Sequence, residues 1–541
     1  MNIARLLTAS AIALALVPLG AGAQAVPAVA AATIATTAAT AAAPVPAYNL
    51  DADVRLALKT FDVPGIAIAI VKDGKVVTTR GYGVRKLGDP APVDGKTLFE
   101  VASNSKGFTA AALAMLVDEG KLKWDDPVSM HLPGFQMYDS YVTGVMTIRD
   151  LLTHRSGLGL GAGDLLWWPS TAFSTDEIIA KLRYIKPATS FRNSYAYDNL
   201  LYIVAGKIIA EKDGKTWGQS IHDRILAPLG MTGTRTSVEA MLATDNHAAP
   251  HSKIDGKAAV VKPMPVPNAV GAVGIDTNAE DLARWMNTLM NDGRSPDGKQ
   301  LVSAKQIAEL WSEQTPMRIR DPKPALAATK PNFAAYGLGF SLRDYKGRKL
   351  VMHGGALQGF YSTVMMVPEE KLGIAILTNA ENGPVMAALY WRILDQYLNV
   401  PASDWIKLYA DQEAASHQEE AQRQAKATTA RAAQSQPSLP LAAYDGEYED
   451  AWYGVASIGE ENGKRIMRFS RTPDLTGELE HFQHDTFIVR WKERNFNADA
   501  YVTFSLNPDG SIERMKMAPI STETDFSYDF QDLLFVPKAK K

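Results

Sequence analysis

Ser103 and Lys106 belong to the single Ser-x-x-Lys sequence of this chain, and their spacing suits covalent catalysis. They precede a run of small and apolar residues, 108–117, with Gly120 beyond it, which predicts a buried helix with a glycine stop. Residues three apart share one helical face, so both side chains should point into the same space. A serine hydroxyl is a weak nucleophile until a base takes its proton, and a lysine can be that base only when burial or nearby cations keep it neutral. The pair therefore predicts a nucleophile and its base at the start of one helix.

Two further motifs have residue types that could complete such a site. Tyr197 and Asn199 stand just before an apolar helical run, where a tyrosine can pass protons and an asparagine can orient the lysine or a substrate. The sequence His-Gly-Gly-Ala at 353–356 lies between two strand-like runs. A strand edge after two glycines can bring a backbone N–H close to a developing oxyanion.

In this order the three motifs resemble the serine β-lactamase and penicillin-binding-protein superfamily, in its class C-like branch of esterases and peptidases. The similarity extends from about residue 63 to residue 379 and includes the Leu-Leu-Thr-His-Arg-Ser-Gly-Leu sequence at 151–158. It implies an α+β fold: a β-lactamase-like antiparallel sheet with an inserted helical region, plus a small C-terminal β-rich domain. Strand patterns at both ends of the similar region, with helical patterns between them, agree with this class.

The resemblance also implies a role for each motif residue. Ser103 would be the nucleophile, and Lys106 the base that activates it. Tyr197 would pass the proton to the leaving group, and Asn199 would hold Lys106 or a substrate amide. The oxyanion hole would consist of the backbone N–H groups of Ser103 and Ala356.

His353 is the departure from the family pattern. It stands where the resemblance places the lysine of Lys-Thr-Gly, a sequence absent from this chain. A lysine there would bind the carboxylate of a β-lactam or of a D-Ala-D-Ala terminus, whereas an imidazole with an ordinary pKa of about 6.5 is mostly neutral at pH 7. The change disfavours such substrates and favours esters or internal amides. If the charge is replaced from elsewhere, Arg155 and Arg192 are the first candidates.

Composition excludes several classes of function. The net charge of −3 and pI of about 6.3 give no basic surface for nucleic acid. The chain contains no cysteine, and its nine histidines are scattered without metal-ligand spacing, so neither a metal nor another cofactor is expected. His131, His154 and His222 are interpreted as structural. The expected partner is a small-molecule or peptide substrate, and the oligomeric state stays open.

The chain divides into five expected segments. Residues 1–25 have the basic start, apolar stretch and small-residue cleavage site of a signal peptide, so a periplasmic or secreted location is expected. The apolar stretch is shorter than the roughly 20 residues that span a bilayer, so no stable membrane insertion is expected. Residues 26–47 form an Ala/Thr/Pro-rich tether, 48–400 the hydrolase domain, 401–440 a partly helical linker, and 441–541 the β-rich domain.

Other local patterns leave alternatives open. Trp167 and Trp168 follow a glycine-rich loop and could form an aromatic wall of the cleft or pack beneath the loop. The C-terminal aromatics are interpreted as core, although that domain could still form one wall of the cleft. The sequence at 277–280 predicts a helix that begins with a capping box at Thr277. Tyr397-Leu398-Asn399 repeats the Tyr-x-Asn spacing but is interpreted as core packing.

The function that best fits these residues is an exported serine hydrolase that works through an acyl-enzyme on Ser103. A peptidase or amidase for unusual linear peptides comes first, because the export signal, the tether, the aromatic loop and the missing lysine resemble those of secreted peptidases that open linearised microcystin. A carboxylesterase for small or apolar esters is the alternative. A β-lactamase or D-Ala-D-Ala carboxypeptidase, and a penicillin-recognising sensor without catalysis, are further alternatives.

Overall fold

The computed structural model describes residues 48–429, 431–432 and 434–539. The expected signal peptide (1–25) and tether (26–47) lie outside the described residues. No helix in this described part of the chain is both long and apolar enough to cross a membrane.

The α-helices of the described residues are α1 (Leu50–Phe61), α2 (Ser105–Asp118), α3 (Val128–His131), α4 (Ser140–Val145), α5 (Ile148–Leu151), α6 (Thr175–Lys181), α7 (Leu200–Asp213), α8 (Trp217–Ile221), α9 (Val238–Leu242), α10 (Val270–Val273), α11 (Ala279–Met290), α12 (Ala304–Leu310), α13 (Gly383–Tyr397) and α14 (Trp405–Thr429).

The β-strands are β1 (Gly65–Lys72), β2 (Lys75–Gly83), β3 (Phe99–Glu100), β4 (His251–Ile254), β5 (Lys257–Val260), β6 (Asp276–Thr277), β7 (Thr315–Pro316), β8 (Ala334–Tyr336), β9 (Ser341–Tyr345), β10 (Arg348–Leu357), β11 (Phe360–Val367), β12 (Leu372–Thr378), β13 (Gly446–Asp450), β14 (Gly454–Glu461), β15 (Lys464–Phe469), β16 (Thr472–Gln483), β17 (Thr486–Trp491), β18 (Ala500–Leu506), β19 (Ile512–Pro519) and β20 (Val536–Pro537).

The central sheet is antiparallel and joins strands from both ends of the catalytic region. Its strand order is β2-β1-β12-β11-β10-β9-β8-β7, so β1 pairs with β12 although most of the region separates them in sequence. The chain between β2 and β7 supplies most of the helices of this region. This topology confirms the expected α+β class, with a helical region inserted into one antiparallel sheet.

The sheet lies between two helical layers, and β1 shows how the sequence fits both. Its isoleucines at 66, 68 and 70 pack in the apolar cluster formed with α1, α13 and α14. The small residues Ala67 and Ala69 alternate with them and pack in the cluster that contains α2 and α11. Because successive side chains point to opposite faces of a strand, one segment serves both cores. All of these side chains are buried.

The C-terminal domain is a nearly closed antiparallel barrel. Its strand order is β19-β18-β17-β16-β15-β14-β13-β20. Met515 of β19 and Phe535, just before β20, exchange backbone hydrogen bonds of 2.8 and 3.1 Å, which brings the two ends of the sheet together. The aromatic residues Trp452, Tyr453 and Trp491 are buried inside the barrel, as interpreted from the sequence.

Helix α14 occupies much of the 401–440 interval. Trp405 at its start is buried, and its indole N–H donates to Asp395 of α13 at 2.7 Å. Most of the rest of the helix is exposed or half-buried, which agrees with its polar composition.

One local prediction is wrong by a single residue. The cap of α11 is Asn278, whose side chain accepts the N–H of Asp281 at 2.9 Å. Thr277 instead belongs to β6 and shares a hydrogen bond of 2.6 Å with Thr234. Asparagine caps helices at least as well as threonine, so both registers satisfy the local preference and a tertiary contact selects one.

Candidate active site

Ser103 lies in a short 3₁₀ turn, Ala102–Asn104, immediately before α2 begins at Ser105. Ala102 has a φ of +48°, in the left-handed region that disfavours residues with a Cβ atom. Such a conformation costs about 1 kcal/mol or more and persists only where the surroundings enforce it. The turn leaves the Ser103 side chain partly exposed, whereas Lys106 one turn later is fully buried.

The Lys106 amine contacts three oxygen atoms. Its Nζ is 2.9 Å from Ser103 Oγ, 2.7 Å from Asn199 Oδ1 and 3.3 Å from the Ala272 carbonyl. Burial lowers the pKa of Lys106 to about 7, although two nearby carboxylates act in the opposite direction. At neutral pH many molecules therefore carry a neutral amine. Such an amine can accept the Ser103 proton while its own hydrogens remain bound to Asn199 and Ala272.

His154 fixes the backbone on both sides of Tyr197. Its carbonyl accepts the N–H of Ala196 at 2.9 Å, and its Nδ1 accepts the N–H of Asp198 at 3.2 Å. The imidazole lies 4.3 Å from the Tyr197 ring, between centroids. Burial lowers the pKa of His154 well below its usual range, so the ring is neutral. This is a structural histidine, as interpreted from the sequence, and it positions Tyr197.

The Tyr197 phenol lies beside the nucleophile. Lys106 Nζ is 4.9 Å from the centroid of its ring. Burial raises the pKa of Tyr197 well above its usual value, and the Ser103 hydroxyl, as a hydrogen-bond partner, opposes that rise. The phenol therefore keeps its proton and can donate it rather than serve as a base.

Asn199 links Lys106 to a buried carboxylate that the sequence did not single out. Its side-chain N–H donates to Asp164 at 2.8 Å, and Asp164 also accepts from Ser527 of the C-terminal barrel at 2.9 Å. The Trp167 indole donates to the other oxygen of Asp164 at 2.8 Å. Burial raises the pKa of Asp164 to about 7. The one sequence signal for Asp164 is an acidic residue directly after a glycine-rich loop.

The His-Gly-Gly-Ala motif lies inside strand β10 rather than between two strands, which corrects the sequence prediction. Position 355 of the motif has no room for a side chain, because a Cβ atom there would lie 2.1 Å from the Val101 carbonyl oxygen. The strand can therefore approach the turn that carries Ser103 only without a side chain at this point.

The second half of β10 leaves one edge uncovered, and Ala356 faces that edge. The two-residue turn at Lys346-Gly347 makes Tyr345 and Arg348 a hydrogen-bonded pair, and β9 covers β10 only as far as Met352. Backbone groups alternate between the two edges of a strand, so Ala356 shares the edge of Met352. Both Ala356 and Ser103 line the same cleft. The Ala356 N–H therefore faces the uncovered edge of the cleft, which agrees with the oxyanion role expected from the sequence.

His353 lines the cleft as a neutral side chain. Its Nδ1 donates to the Gly354 carbonyl at 2.6 Å, so its Nε2 accepts the hydroxyl of Tyr336 at 2.8 Å. Burial, together with the nearby Lys106, lowers the pKa of His353 to about 3. The imidazole therefore carries no charge at neutral pH.

The two arginines considered as replacements for the missing charge do not line the cleft. Arg155 and Arg192 both bind the buried carboxylate of Asp150, through Nε–Oδ1 distances of 2.9 and 3.0 Å. Both guanidiniums are held by this carboxylate outside the cleft, so neither replaces the missing lysine there.

The cleft at Ser103 has a volume of about 470 Å³ and a largely apolar wall. Trp167 and Trp168 are almost fully buried and also line it, so both alternatives from the sequence apply. The C-terminal barrel contributes residues 525–527 to the wall, and the ring of Phe526 lies 6.0 Å from that of Tyr197. The barrel thus forms part of the cleft, as the sequence left open.

The remaining sequence candidates lie elsewhere. Tyr397 ends α13 and packs against the cluster on the far face of the sheet. His131 contacts Asp126 at 3.1 Å, and His222 is exposed. Within the described ranges there is no group of three or more His, Asp or Glu side chains suited to a metal ion.

Comparisons with known proteins find matches for both parts of the chain. Residues 50–398 match the Beta-lactamase family, and residues 430–537 match a domain of unknown function, DUF3471. An unguisins hydrolase from Aspergillus campestris is 29% identical over 483 residues, which cover 85% of this chain and 86% of the relative. Protein flp of Staphylococcus aureus is 29% identical over 349 residues, which cover 61% of this chain and 62% of the relative.

Two solved structures share the fold. The octameric penicillin-binding protein homologue from Pyrococcus abyssi has a TM-score of 0.57 and 21% identity, and covers 90% of this chain and 99% of its own. The D-amino acid amidase from Ochrobactrum anthropi has a TM-score of 0.53 and 22% identity, and covers 64% of this chain and 99% of its own. The matches confirm the resemblance inferred from the motifs: this chain is a serine hydrolase that belongs to the Beta-lactamase family.

Proposed function

We propose that this protein is a peptidase or amidase that cleaves linear peptides with unusual residues through an acyl-enzyme on Ser103. Neutral Lys106 takes the Ser103 proton as Oγ attacks the scissile carbonyl, and the N–H groups of Ser103 and Ala356 bind the oxyanion. Tyr197 gives its proton to the leaving nitrogen and is reprotonated by the Lys106 ammonium. Water then releases the acyl group by the reverse transfers. Linearised microcystin is one substrate of this class.

The uncovered edge of β10 beyond Met352 is the observation that carries the proposal. An extended peptide can pair with such an edge through its own backbone, whereas a small ester has no backbone to pair. The apolar wall that includes Trp168 and Tyr390 suits apolar side chains on that peptide. The relatives named unguisins hydrolases support a hydrolytic reaction, and the D-amino acid amidase shares the fold.

The uncharged side chain of His353 favours this function over other activities of the family. A neutral imidazole held by Tyr336 cannot replace a lysine as the partner of a substrate carboxylate. This disfavours a β-lactamase or a D-Ala-D-Ala carboxypeptidase. We also propose that the protein acts in the periplasm or after secretion, on the strength of the N-terminal sequence.

The test compares a panel of linear peptides, including peptides with D-residues, with short-chain esters and a cephalosporin. We expect the best peptide to exceed the cephalosporin in kcat/KM by at least about tenfold, and Ser103→Ala to abolish both activities. N-methylation of one peptide nitrogen beside the scissile bond should raise KM, because it removes an N–H that pairs with β10. Turnover of esters without cleavage of any peptide would contradict the proposal and favour the carboxylesterase.

A further inference from the structure

A second, smaller cavity of about 120 Å³ adjoins the cleft at Ser103. Trp168, Ala356, Tyr361 and Asp525 line both spaces, so the two are neighbours. The small cavity begins where the chain passes from the oxyanion residue Ala356 to Gln358. A substrate aligned with β10 would therefore extend toward it.

Two of the three carboxylates that line this cavity, Glu381 and Asp525, have no cationic partner among the described residues, whereas Glu523 contacts His417 at 3.1 Å. Glu381 accepts from the Ser252 hydroxyl at 2.7 Å and the Gly359 N–H at 2.6 Å, and Asp525 accepts the Ser527 N–H at 2.8 Å. Among the described residues, neither carboxylate forms an ion pair with Lys, Arg or His, and no residue lining the cavity is basic. Burial raises the pKa of Glu381 to about 7, with a smaller contribution from Asp525, and burial also raises the pKa of Asp525. A cation bound between them would relieve this unfavourable burial.

Gln358 gives a second and independent indication of a ligand. Gln358 lines the cavity and is only 7% exposed, yet its Nε2 donor has no hydrogen-bond partner among the residues that the structure describes. Buried donors are rarely left unpaired, so an acceptor is expected at this point. An ammonium group with a carbonyl oxygen close to it satisfies the carboxylates and the amide together. The amino-terminal residue of a peptide has this arrangement.

We propose that this cavity binds the protonated amino group of a substrate whose scissile bond lies at Ser103. The proposal rests on the peptide substrate inferred above and narrows it to peptides with a free amine near the scissile bond. Asp525 and Glu381 hold the ammonium group, and Gln358 donates to the adjacent carbonyl oxygen. The ammonium is the amino terminus of the peptide or a lysyl-type side chain.

The test measures competition against hydrolysis of p-nitrophenyl butyrate, so it does not depend on peptide cleavage. The competitors are one apolar tripeptide with a free amino terminus, its N-acetylated form, and an N-acetylated form with lysine as its first residue. Wild type is compared with Asp525→Asn and Glu381→Gln. Glu449→Gln is the matched control, since it removes one exposed carboxylate from β13 of the same barrel.

We expect a free amine to improve the inhibition constant by at least about tenfold over the acetylated tripeptide, which is the range of a charge-assisted hydrogen bond. Asp525→Asn and Glu381→Gln should each reduce that ratio, while Glu449→Gln should preserve it. Because the ratio is taken within one protein, a loss of folded enzyme does not alter it. Restored inhibition by the lysine form would assign the cavity to a side-chain ammonium instead of the terminus.

Equal inhibition by all three competitors would overturn the subsite, and so would a ratio that survives both variants. A different result, ester turnover without peptide cleavage, would contradict the proposed function. The inhibition ratio could still be measured in that case, so the two failures are distinguishable.

Discussion

Ser527 of the C-terminal barrel donates a hydrogen bond of 2.9 Å to Asp164, 363 residues earlier in the chain. Asp164 holds Asn199, and Asn199 accepts from Lys106, so a continuous row of hydrogen bonds joins the barrel to Lys106. Asp529 strengthens the contact by accepting the N–H groups at positions 163 and 165 on either side of Asp164. The barrel therefore helps to order the residues around Lys106.

Replacing Ser527 with alanine should change the pH dependence as well as the rate. The Ser527 hydroxyl lowers the pKa of Asp164, so its loss leaves more Asp164 protonated and removes negative charge near Lys106. The Lys106 pKa should then fall, and the acidic limb of the kcat/KM profile should move to lower pH. The lost hydrogen bond should also lower kcat by roughly threefold to tenfold, from about 1 kcal/mol. Initial rates between pH 5 and 9 measure both effects.

Two variants control this experiment. Ser527→Thr retains the hydroxyl and should keep the acidic limb of the kcat/KM profile at its wild-type pH. Ser457→Ala makes the same change at a partly exposed position of β14 and should alter neither that limb nor kcat. A Ser527→Ala protein that loses thermal stability but keeps the wild-type limb would show that Ser527 only stabilises the domain contact.

Wild-type activity should rise with pH through an apparent pKa of about 7. Lys106 must be neutral to accept the Ser103 proton, and burial lowers its pKa to about 7, so kcat/KM should fall about tenfold per pH unit well below that value. Tyr197 stays protonated, so it should produce no decline in the neutral range. The apparent pKa of this limb should shift strongly with temperature, because the pKa of an amine depends strongly on temperature whereas that of a carboxyl group does not. A temperature-independent limb would assign it to a carboxyl group such as Asp164.

Lys106 and Tyr197 should act as one unit with Ser103. Lys106→Ala and Tyr197→Phe should each cause a large loss of kcat, and the double variant should lose little more than the worse single variant, since each serves the same proton transfer. Tyr195→Phe is the matched control, because its ring contacts His154 without reaching the nucleophile, and its effect should add to that of Lys106→Ala. Losses for Lys106 and Tyr197 that add on a logarithmic scale would leave Tyr197 as a packing residue.

Restoring the family lysine at position 353 should alter substrate choice. His353→Lys places a cation in the cleft where a neutral imidazole now accepts from Tyr336. It should improve kcat/KM for a peptide with a free carboxylate beside the scissile bond, relative to the same peptide as its amide. His353→Gln, which adds no charge, should leave that ratio unchanged. An unaltered ratio in the lysine variant would mean that position 353 does not face the substrate carboxylate.

Local spacing was enough to predict some of this site and could not reveal the rest. Ser103 and Lys106 follow from the three-residue spacing, because a helical turn brings such residues together whatever the rest of the chain does. Residue type and neighbouring patterns made Tyr197, Asn199 and the 353–356 motif candidates, but their roles required the resemblance to a known family, since their positions depend on long-range packing.

Asp164 and Ser527 had no sequence signal that linked them. Their contact depends on how the barrel docks against the catalytic domain, and no local pattern encodes docking. The start of α11 has the same explanation. Asn278 and Thr277 are equally acceptable as helix caps by local preference, and the contact between Thr277 and Thr234 decides that Asn278 is the cap. The neutral state of Lys106 likewise depends on burial that only the folded chain provides.

The most direct test of the account is covalent labelling of Ser103. A slowly hydrolysed ester should leave an acyl group on the protein that intact mass spectrometry detects after acid quenching and peptide mapping places on Ser103. Ser105→Ala, which alters the neighbouring serine whose hydroxyl accepts the Ile275 N–H, should retain the adduct. Ser103→Ala should lack it and lose at least about 10³-fold in rate. A Ser103→Ala protein with near wild-type turnover would contradict the account.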